Sequence, residues 1–368
     1  MNIDQRLPAA LRSIQSKNFD EALWHIDKLL HARPDETSAL SHRCLVLGWL
    51  GRFVEQDATL IRLQEQVSPT DPDLQMTLAR CAVQAKRWPQ AKQHFQNVLQ
   101  AQPENKFARE TLLRICVNQQ DLTTIAQLMP HTDGSLVSLH GYRAIQLGPF
   151  VQFVEMANCT NTILRSLLND DYESEERNLC SKLLEPGDRV LDIGCGIGAV
   201  TTHIAARVGA HNVLSLDANP HLLPVAQATT LVNGLQVRFM HAILSSDRDV
   251  VSGATRTFPI NQEFWASALD GETEASDTVD VPVHSLEELI VEHGATAICI
   301  DIEGAEVDLL SKTDLPGIVR MIMEIHPETV GNAACNTLLA HLISIGFSID
   351  FSLSQMERNV CCLRRVYS

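Results

Sequence analysis

The sequence predicts two architectures in series: an all-α helical repeat over residues 1–130, then an α/β domain with a doubly wound, mostly parallel sheet over residues 172–368. Three observations carry this. Aromatic and proline landmarks recur at a fixed interval in the first third. Short apolar runs alternate with amphipathic stretches in the second two-thirds. Between the first such run and its helix stands VLDIGCGIGAV (190–200), an acid followed by glycines on alternate positions.

Composition sets the limits. A chain of 368 residues has room for two domains. With 45% apolar and 20% charged residues it has the make-up of a globular protein. A formal net charge of −16 argues against nucleic acid, which wants a basic face. No stretch approaches a membrane span, and MNIDQRLPAALRS lacks the basic-then-apolar layout of a secretory signal. The 10 cysteines show no C-x-x-C spacing, and Cys361 and Cys362 are adjacent. Reduced thiols in a cytoplasmic protein are therefore expected.

The repeat is read from NFDEAL (Asn18 to Leu23), RFVEQD (Arg52 to Asp57), RWPQAK (Arg87 to Lys92) and DLTTIA (Asp121 to Ala126). Phe19, Phe53, Trp88 and Leu122 are spaced 34, 35 and 34, and Pro34, Pro69 and Pro103 are spaced 35 and 34. Each unit reads as two short amphipathic helices that must stack on neighbours to bury their apolar faces. The pattern resembles the tetratricopeptide repeat, with Gln56 standing where Ala22 and Ala91 stand in other units. Such arrays hold a peptide or protein partner on a concave face, or pack and dimerise the chain. Residues 131–171 are expected to connect the two domains through loops and short strands, with a helix starting near Tyr172.

In the α/β domain, RVLDIG, VLSLDAN, VRFMHAIL, ATAICIDIEG and VRMIMEIH read as successive strands with helices between them. FSIDFSLS and NVCCLRRV read as closing strands. This alternation gives parallel strands with right-handed crossovers. Ligands then sit outside the carboxyl ends of the strands, where Asp192, Asp217, His241, Asp301, Glu324 and His326 fall.

Gly194, Gly196 and Ala199 satisfy the dinucleotide fingerprint G-x-G-x-x-G/A. Asp192 to Gly198 also satisfies D-x-G-x-G-x-G, the loop of S-adenosylmethionine enzymes. Glycines that merely pack helix on strand are the plain alternative. An acid before the glycines suits a cationic sulfonium and repels a pyrophosphate, so S-adenosylmethionine is the expected cofactor. In that reading the N–H groups around Gly194, Cys195 and Gly196 hold the methionine carboxylate, and Gly198 opens the helix. Asp217 and Ala218 border the ribose, His241 and Ala242 border the adenine, and Tyr172, Glu173 and Glu176 close over the cofactor, an exposed amphipathic helix face being the alternative for the two glutamates.

AICIDIEGAEVDLL (Ala297 to Leu310), MIMEIHP (Met321 to Pro327) and VHSLEEL (Val283 to Leu289) resemble the FkbM-type methyltransferases, as does the acidic entry helix from Tyr172. The resemblance covers roughly residues 170–350 and implies a Rossmann-like class I methyltransferase. Its implied reaction is methyl transfer to a hydroxyl of a sugar, glycolipid or secondary metabolite. The chain departs from that family in Gly194-Cys195-Gly196-Ile197-Gly198 and in Asp217-Ala218-Asn219-Pro220, both closer to the general methyltransferase pattern. A protein or carrier-bound acceptor brought by the repeats, and a non-catalytic scaffold, are the rival readings.

A hydroxyl acceptor needs a base or a metal. Asp301 ends a buried strand and is the expected base or metal ligand, with Glu303 beside it and His326 closing the next strand. Helix capping is the competing role for Glu303 and Glu306. No oxygen-rich set is complete enough to predict a metal. Residues 247–282 read as a long insertion, with Phe258, Phe264 and Trp265 as candidate acceptor contacts.

Overall fold

The computed structural model describes residues 2–119, 121–128, 141–156, 159–247, 253–260 and 277–366. The chain divides into two compact units, Met1–Asp121 and Leu122–Ser368. In the first, α1 (Arg6–Gln15) packs on α2 (Phe19–Ala32), α3 (Thr37–Trp49) on α4 (Phe53–Gln66), and α5 (Pro72–Gln84) on α6 (Trp88–Ala101). Helix α7 (Lys106–Asn118) follows against α6.

One turn joins each pair. Lys17, Gly51 and Lys86 take left-handed backbone, at φ 59°, 71° and 56°. The next residue returns its N–H to the carbonyl five back: Asn18 to Ser13, Arg52 to Leu47 and Arg87 to Ala82, each at 2.8 Å. Asp121 makes the same bond to Cys116 at 2.9 Å. These closures satisfy helix-end carbonyls, and they repeat with the sequence period. Gln56, which breaks the small-residue pattern, is 1% exposed. Its amide nitrogen donates to the Cys44 carbonyl at 2.9 Å and to Gln84 Oε1 at 2.8 Å. Both glutamines fill the space that a Cβ on Gly48 would need. An unpaired buried amide costs about 1–3 kcal/mol, so the polar substitution is tolerated because Gln84 and Gly48 accompany it.

The second unit opens with α8 (Leu122–Leu128), a helix that the sequence period assigns to the repeat. The stretch expected as a connection forms a hairpin of β1 (Tyr142–Leu147) and β2 (Phe150–Glu155), then α9 (Asn161–Leu168). Helix α10 (Ser174–Leu183) starts after a left-handed Glu173, two residues later than expected. Next come β3 (Val190–Ile193), α11 (Ala199–Val208), β4 (Val213–Asp217), α12 (Leu222–Val232) and β5 (Arg238–His241). Both α8 and β2 pack on α12.

The run VRFMHAIL is not one strand. It breaks at Ala242, and β6 (Ile243–Ser245) leaves the central sheet. Residues expected as loop contribute β7 (Thr255–Ile260) and β8 (Asp277–Ser285). These pair antiparallel, and β8 pairs parallel with β6. The chain continues through α13 (Leu286–His293), β9 (Ala297–Ile300), α14 (Glu306–Leu310) and β10 (Arg320–Glu324). It closes with α15 (Pro327–Val330), α16 (Asn332–Ser344), β11 (Phe347–Ile349) and β12 (Val360–Arg365).

Among the described residues the central sheet has seven strands in the order β11-β12-β10-β9-β3-β4-β5. Strands β3, β4, β5, β9 and β10 are parallel, while β12 runs antiparallel to β10 and β11. This is a Rossmann-like mixed sheet. All residues of β3 and β9 are buried, as two-sided burial of parallel strands requires. Chain order reverses between them, which places the ligand crevice at their carboxyl ends. Among the described residues no cysteine is in a disulfide. Among the described residues no helix is long and apolar enough to cross a membrane.

Candidate active site

The glycine loop is held closed by its own backbone. The N–H groups of Gly194 and Cys195 both reach the Leu216 carbonyl, at 2.9 and 3.0 Å. The Gly196 N–H donates to Asp217 Oδ2 at 2.9 Å. The three N–H groups expected to hold a carboxylate thus have acceptors within the chain itself. Gly194, Gly196 and Gly198 take φ of 85°, 51° and 83°. At Gly198 a Cβ would stand 2.8 Å from the Ala226 Cα, so this glycine lets α11 meet α12 closely. A Cβ on Gly196 would face Tyr172 and Glu173, each 3.8 Å away.

A cavity of about 660 Å³ opens beyond the carboxyl ends of β3, β4 and β9. That volume falls within the range of small-molecule sites. Glu173, Gly194, Gly196, Asp217, Ala218, Ala242, Asp301 and Glu303 of the expected residues line it. Phe258 and Arg256 on β7 also line it, so the insertion does form a wall. Phe264 and Trp265 lie outside the described residues.

Asp192, Cys195 and His241 do not line this cavity. Asp192 is 3% exposed, and its Oδ2 accepts the hydroxyls of Thr201 at 2.5 Å and Ser215 at 2.8 Å. These bonds tie β3, α11 and β4 together behind the loop. The Cys195 side chain is buried, and burial pushes its thiol well up. His241 Nε2 bonds the Ala218 carbonyl at 3.0 Å, so the histidine supports a lining residue rather than lining the site itself.

The acids that remain are raised together. Burial holds Asp217 and Asp301 at about 6 and Glu303 at about 7. Burial first, and Asp301 second, carry Glu324 to about 9. Glu173 is also pushed well above its ordinary value, by burial and by Asp301. Such clustering of desolvated carboxylates is a mark of functional sites.

Glu306 organises the turn after β9. It is 1% exposed and accepts the N–H groups of Ile302 at 2.6 Å and Gly304 at 2.9 Å. Glu303 takes left-handed backbone at φ 56° and caps nothing. Its carboxylate instead approaches His326, whose Nε2 stands 3.5 Å from Glu303 Oε2 and 3.5 Å from Asp301 Oδ1. Burial pulls the imidazole down, yet the carboxylates of Glu306, Asp301 and Glu303 together hold it up at about 9. His326 stands behind these two acids and does not itself line the cavity.

One residue escaped sequence reasoning. Gln152 on β2 donates through Nε2 to the Ile197 carbonyl at 2.9 Å and to Thr229 at 2.8 Å, fastening the hairpin to the glycine loop. Glu176 on α10, expected to close over the cofactor or to face solvent, is buried, is raised to about 7 chiefly by burial, and is not among the lining residues. Spacing gives no signal for Gln152, since its partners are remote in sequence.

Residues 190–252 match the methyltransferase domain family. The match spans the glycine loop and Asp217 and ends before Asp301, Glu303 and His326. The ribosomal protein L11 methyltransferase of Thermus thermophilus is 40% identical over 63 residues, which is 17% of this chain and 24% of that protein. Its counterpart from Thermotoga neapolitana is 34% identical over 70 residues, or 19% and 26%. The chain thus spans about a quarter of the curated relatives it matches. The solved structure of M. jannaschii TYW2 in complex with AdoMet overlaps at 12% identity and TM-score 0.32, covering 61% of this chain and 87% of that one. MamA from Desulfovibrio magneticus RS-1 overlaps at 16% identity and TM-score 0.32, covering 35% and 73%. Overlaps that loose do not establish a shared fold.

Proposed function

We propose that the second unit is an S-adenosylmethionine-dependent methyltransferase acting on a hydroxyl of a sugar, glycolipid or secondary-metabolite acceptor. The observation that carries this is the charge of the crevice. Glu173, Asp217, Asp301, Glu303 and Asp308 line it, against Arg256 as the basic residue among the described lining. A dinucleotide would bring its phosphates against these carboxylates, at a Coulombic cost that low dielectric magnifies. S-adenosylmethionine, when bound, supplies an electrophilic methyl on a cationic sulfur.

The protein's own contributions follow from position. Asp217 spends one lone pair of each oxygen on the N–H groups of Asn219 and Gly196, and keeps the others for ribose hydroxyls. Ala218 and Ala242 supply the apolar walls for the adenine, and Tyr172 with Glu173 covers the loop at Gly196. Asp301 and Glu303 orient the acceptor and promote loss of its proton, with His326 placed behind them. Alignment of the acceptor with the methyl group supplies much of the rate.

Oxygen as the methylated atom rests on the FkbM-type motifs around Asp301 and His326. A second reading takes a protein acceptor, recruited by a tetratricopeptide-like array in a cytoplasmic enzyme. It is favoured by the named substrate of the L11 methyltransferases and by the repeated turns of the first unit. Calorimetry of the full chain with S-adenosylmethionine, S-adenosylhomocysteine and NAD tests the cofactor. Heat with the first two and none with NAD is expected, and the reverse overturns the proposal. Labelled methyl groups offered with a glycan panel and with cell protein then separate the acceptor classes.

A further inference from the structure

His326 is 5% exposed, yet neither ring nitrogen makes a hydrogen bond among the described residues. Nδ1 faces Glu306 Oε1 at 3.4 Å without hydrogen-bond geometry. Nε2 points between two carboxylates, equidistant from Asp301 Oδ1 and Glu303 Oε2 at 3.5 Å. Asp301 Oδ1 is itself buried and unpartnered. A charge-assisted N–H···O bond closes to about 2.7–2.9 Å, so these groups are too far apart to bond one another. They are spaced as donors around a shared centre. Two ligand bonds of about 2.1 Å at a tetrahedral angle hold their donor atoms about 3.4 Å apart.

We propose that Asp301, Glu303 and His326 bind a divalent first-row metal ion. The three donor atoms lie within 4.8 Å of one another. Each is held from behind. Asp301 follows β9, with its N–H on the Ile193 carbonyl at 3.0 Å. Glu303 stands on the turn that Glu306 clasps, and His326 leads into α15. One imidazole with two carboxylates suits Mn²⁺, Co²⁺ or Zn²⁺ better than the all-oxygen set that Mg²⁺ prefers. Asp301 and Glu303 line the cavity, so the open coordination positions face the acceptor. This rests on the proposed reaction only for its purpose: the ion would bind and acidify an acceptor oxygen. The binding itself can be measured without turnover.

The full chain, stripped with chelator, is titrated with MnCl₂ and free Mn²⁺ is followed by electron paramagnetic resonance. One bound ion per chain is expected. Glu303→Gln, on a half-buried turn, is expected to weaken it about tenfold or more, and Asp301→Asn to do likewise. Calorimetry with S-adenosylhomocysteine on the same samples checks the fold and reads the cofactor site separately. A free-Mn²⁺ signal unchanged by the wild-type protein, or equal binding by both variants, overturns the metal proposal even if S-adenosylhomocysteine binds. Metal binding without S-adenosylhomocysteine binding overturns the cofactor reading instead.

Discussion

Gly194 and Asp301 meet across the crevice: a Cβ on Gly194 would run into the backbone carbonyl of Asp301. The glycine loop and the acidic strand end are thus packed main chain to main chain, between the parallel neighbours β3 and β9. Cofactor shelf and candidate catalytic group are set by one contact.

Gly194→Ala should therefore damage both. Left-handed backbone alone costs a non-glycine residue about 1–2 kcal/mol, and the clash with backbone adds to it. A marked fall in Tm and loss of S-adenosylhomocysteine binding are expected. Gly234→Ala, also at positive φ (75°) but with nothing within 4 Å of the added carbon, should show only the backbone cost. Equal Tm shifts for the two variants would count against the contact.

Asp217→Asn should weaken cofactor binding by about 1.5–3 kcal/mol, the worth of hydrogen bonds to a charged group. Asp217 sits at about 6 because of burial. Affinity in the wild-type protein should then fall as pH drops below about 6, and level off above 7. Calorimetry across that range reads both effects, and an affinity indifferent to Asn and to pH would exclude ribose contact.

The ligand-free protein should lose stability on going from about pH 5 to 7.5. Asp192 and Asp217 are held at about 6 and Glu176 at about 7, chiefly by burial. All three lie above their unfolded values, so the folded chain keeps protons that the unfolded chain has released. Their stabilisation is present below the unfolded values and disappears as pH rises through 6 to 7. Thermal unfolding in chelated buffer measures this. S-adenosylmethionine should restore more stability at pH 7.5 than at pH 5, and a Tm that rises with pH across this window would refute the account.

Gln152→Ala should cost about 1–3 kcal/mol by leaving buried partners unpaired. It should also loosen the glycine loop, because the Ile197 carbonyl loses its donor. Urea unfolding gives the first effect, and S-adenosylhomocysteine affinity the second. A change in stability with unaltered affinity would limit Gln152 to anchoring the hairpin.

Periodic features were legible in the sequence because they are local. The 34–35-residue spacing reappears in the left-handed Lys17, Gly51 and Lys86, and the buried runs became β3, β4, β9 and β10. Asp217, Asp301 and Glu303 reached the cavity because strand ends in a parallel sheet do so. What escaped depends on distant partners. Strands β7 and β8 are defined by pairing with each other, which no periodicity announces. Asp192 lies off the cavity lining, where two hydroxyls, Thr201 and Ser215, claim it from neighbouring elements. The engaged loop N–H groups depend on Leu216, more than 20 residues away.

Among the described residues, the strands β6, β8 and β7 pair with one another and not with the seven-stranded sheet. They still bring Arg256 and Phe258 to the crevice. Such an appendage can be resized or rewritten without breaking a single ladder bond of the central scaffold. Changes in what the molecule accepts would then accumulate there first, while the shelf beneath stays constant.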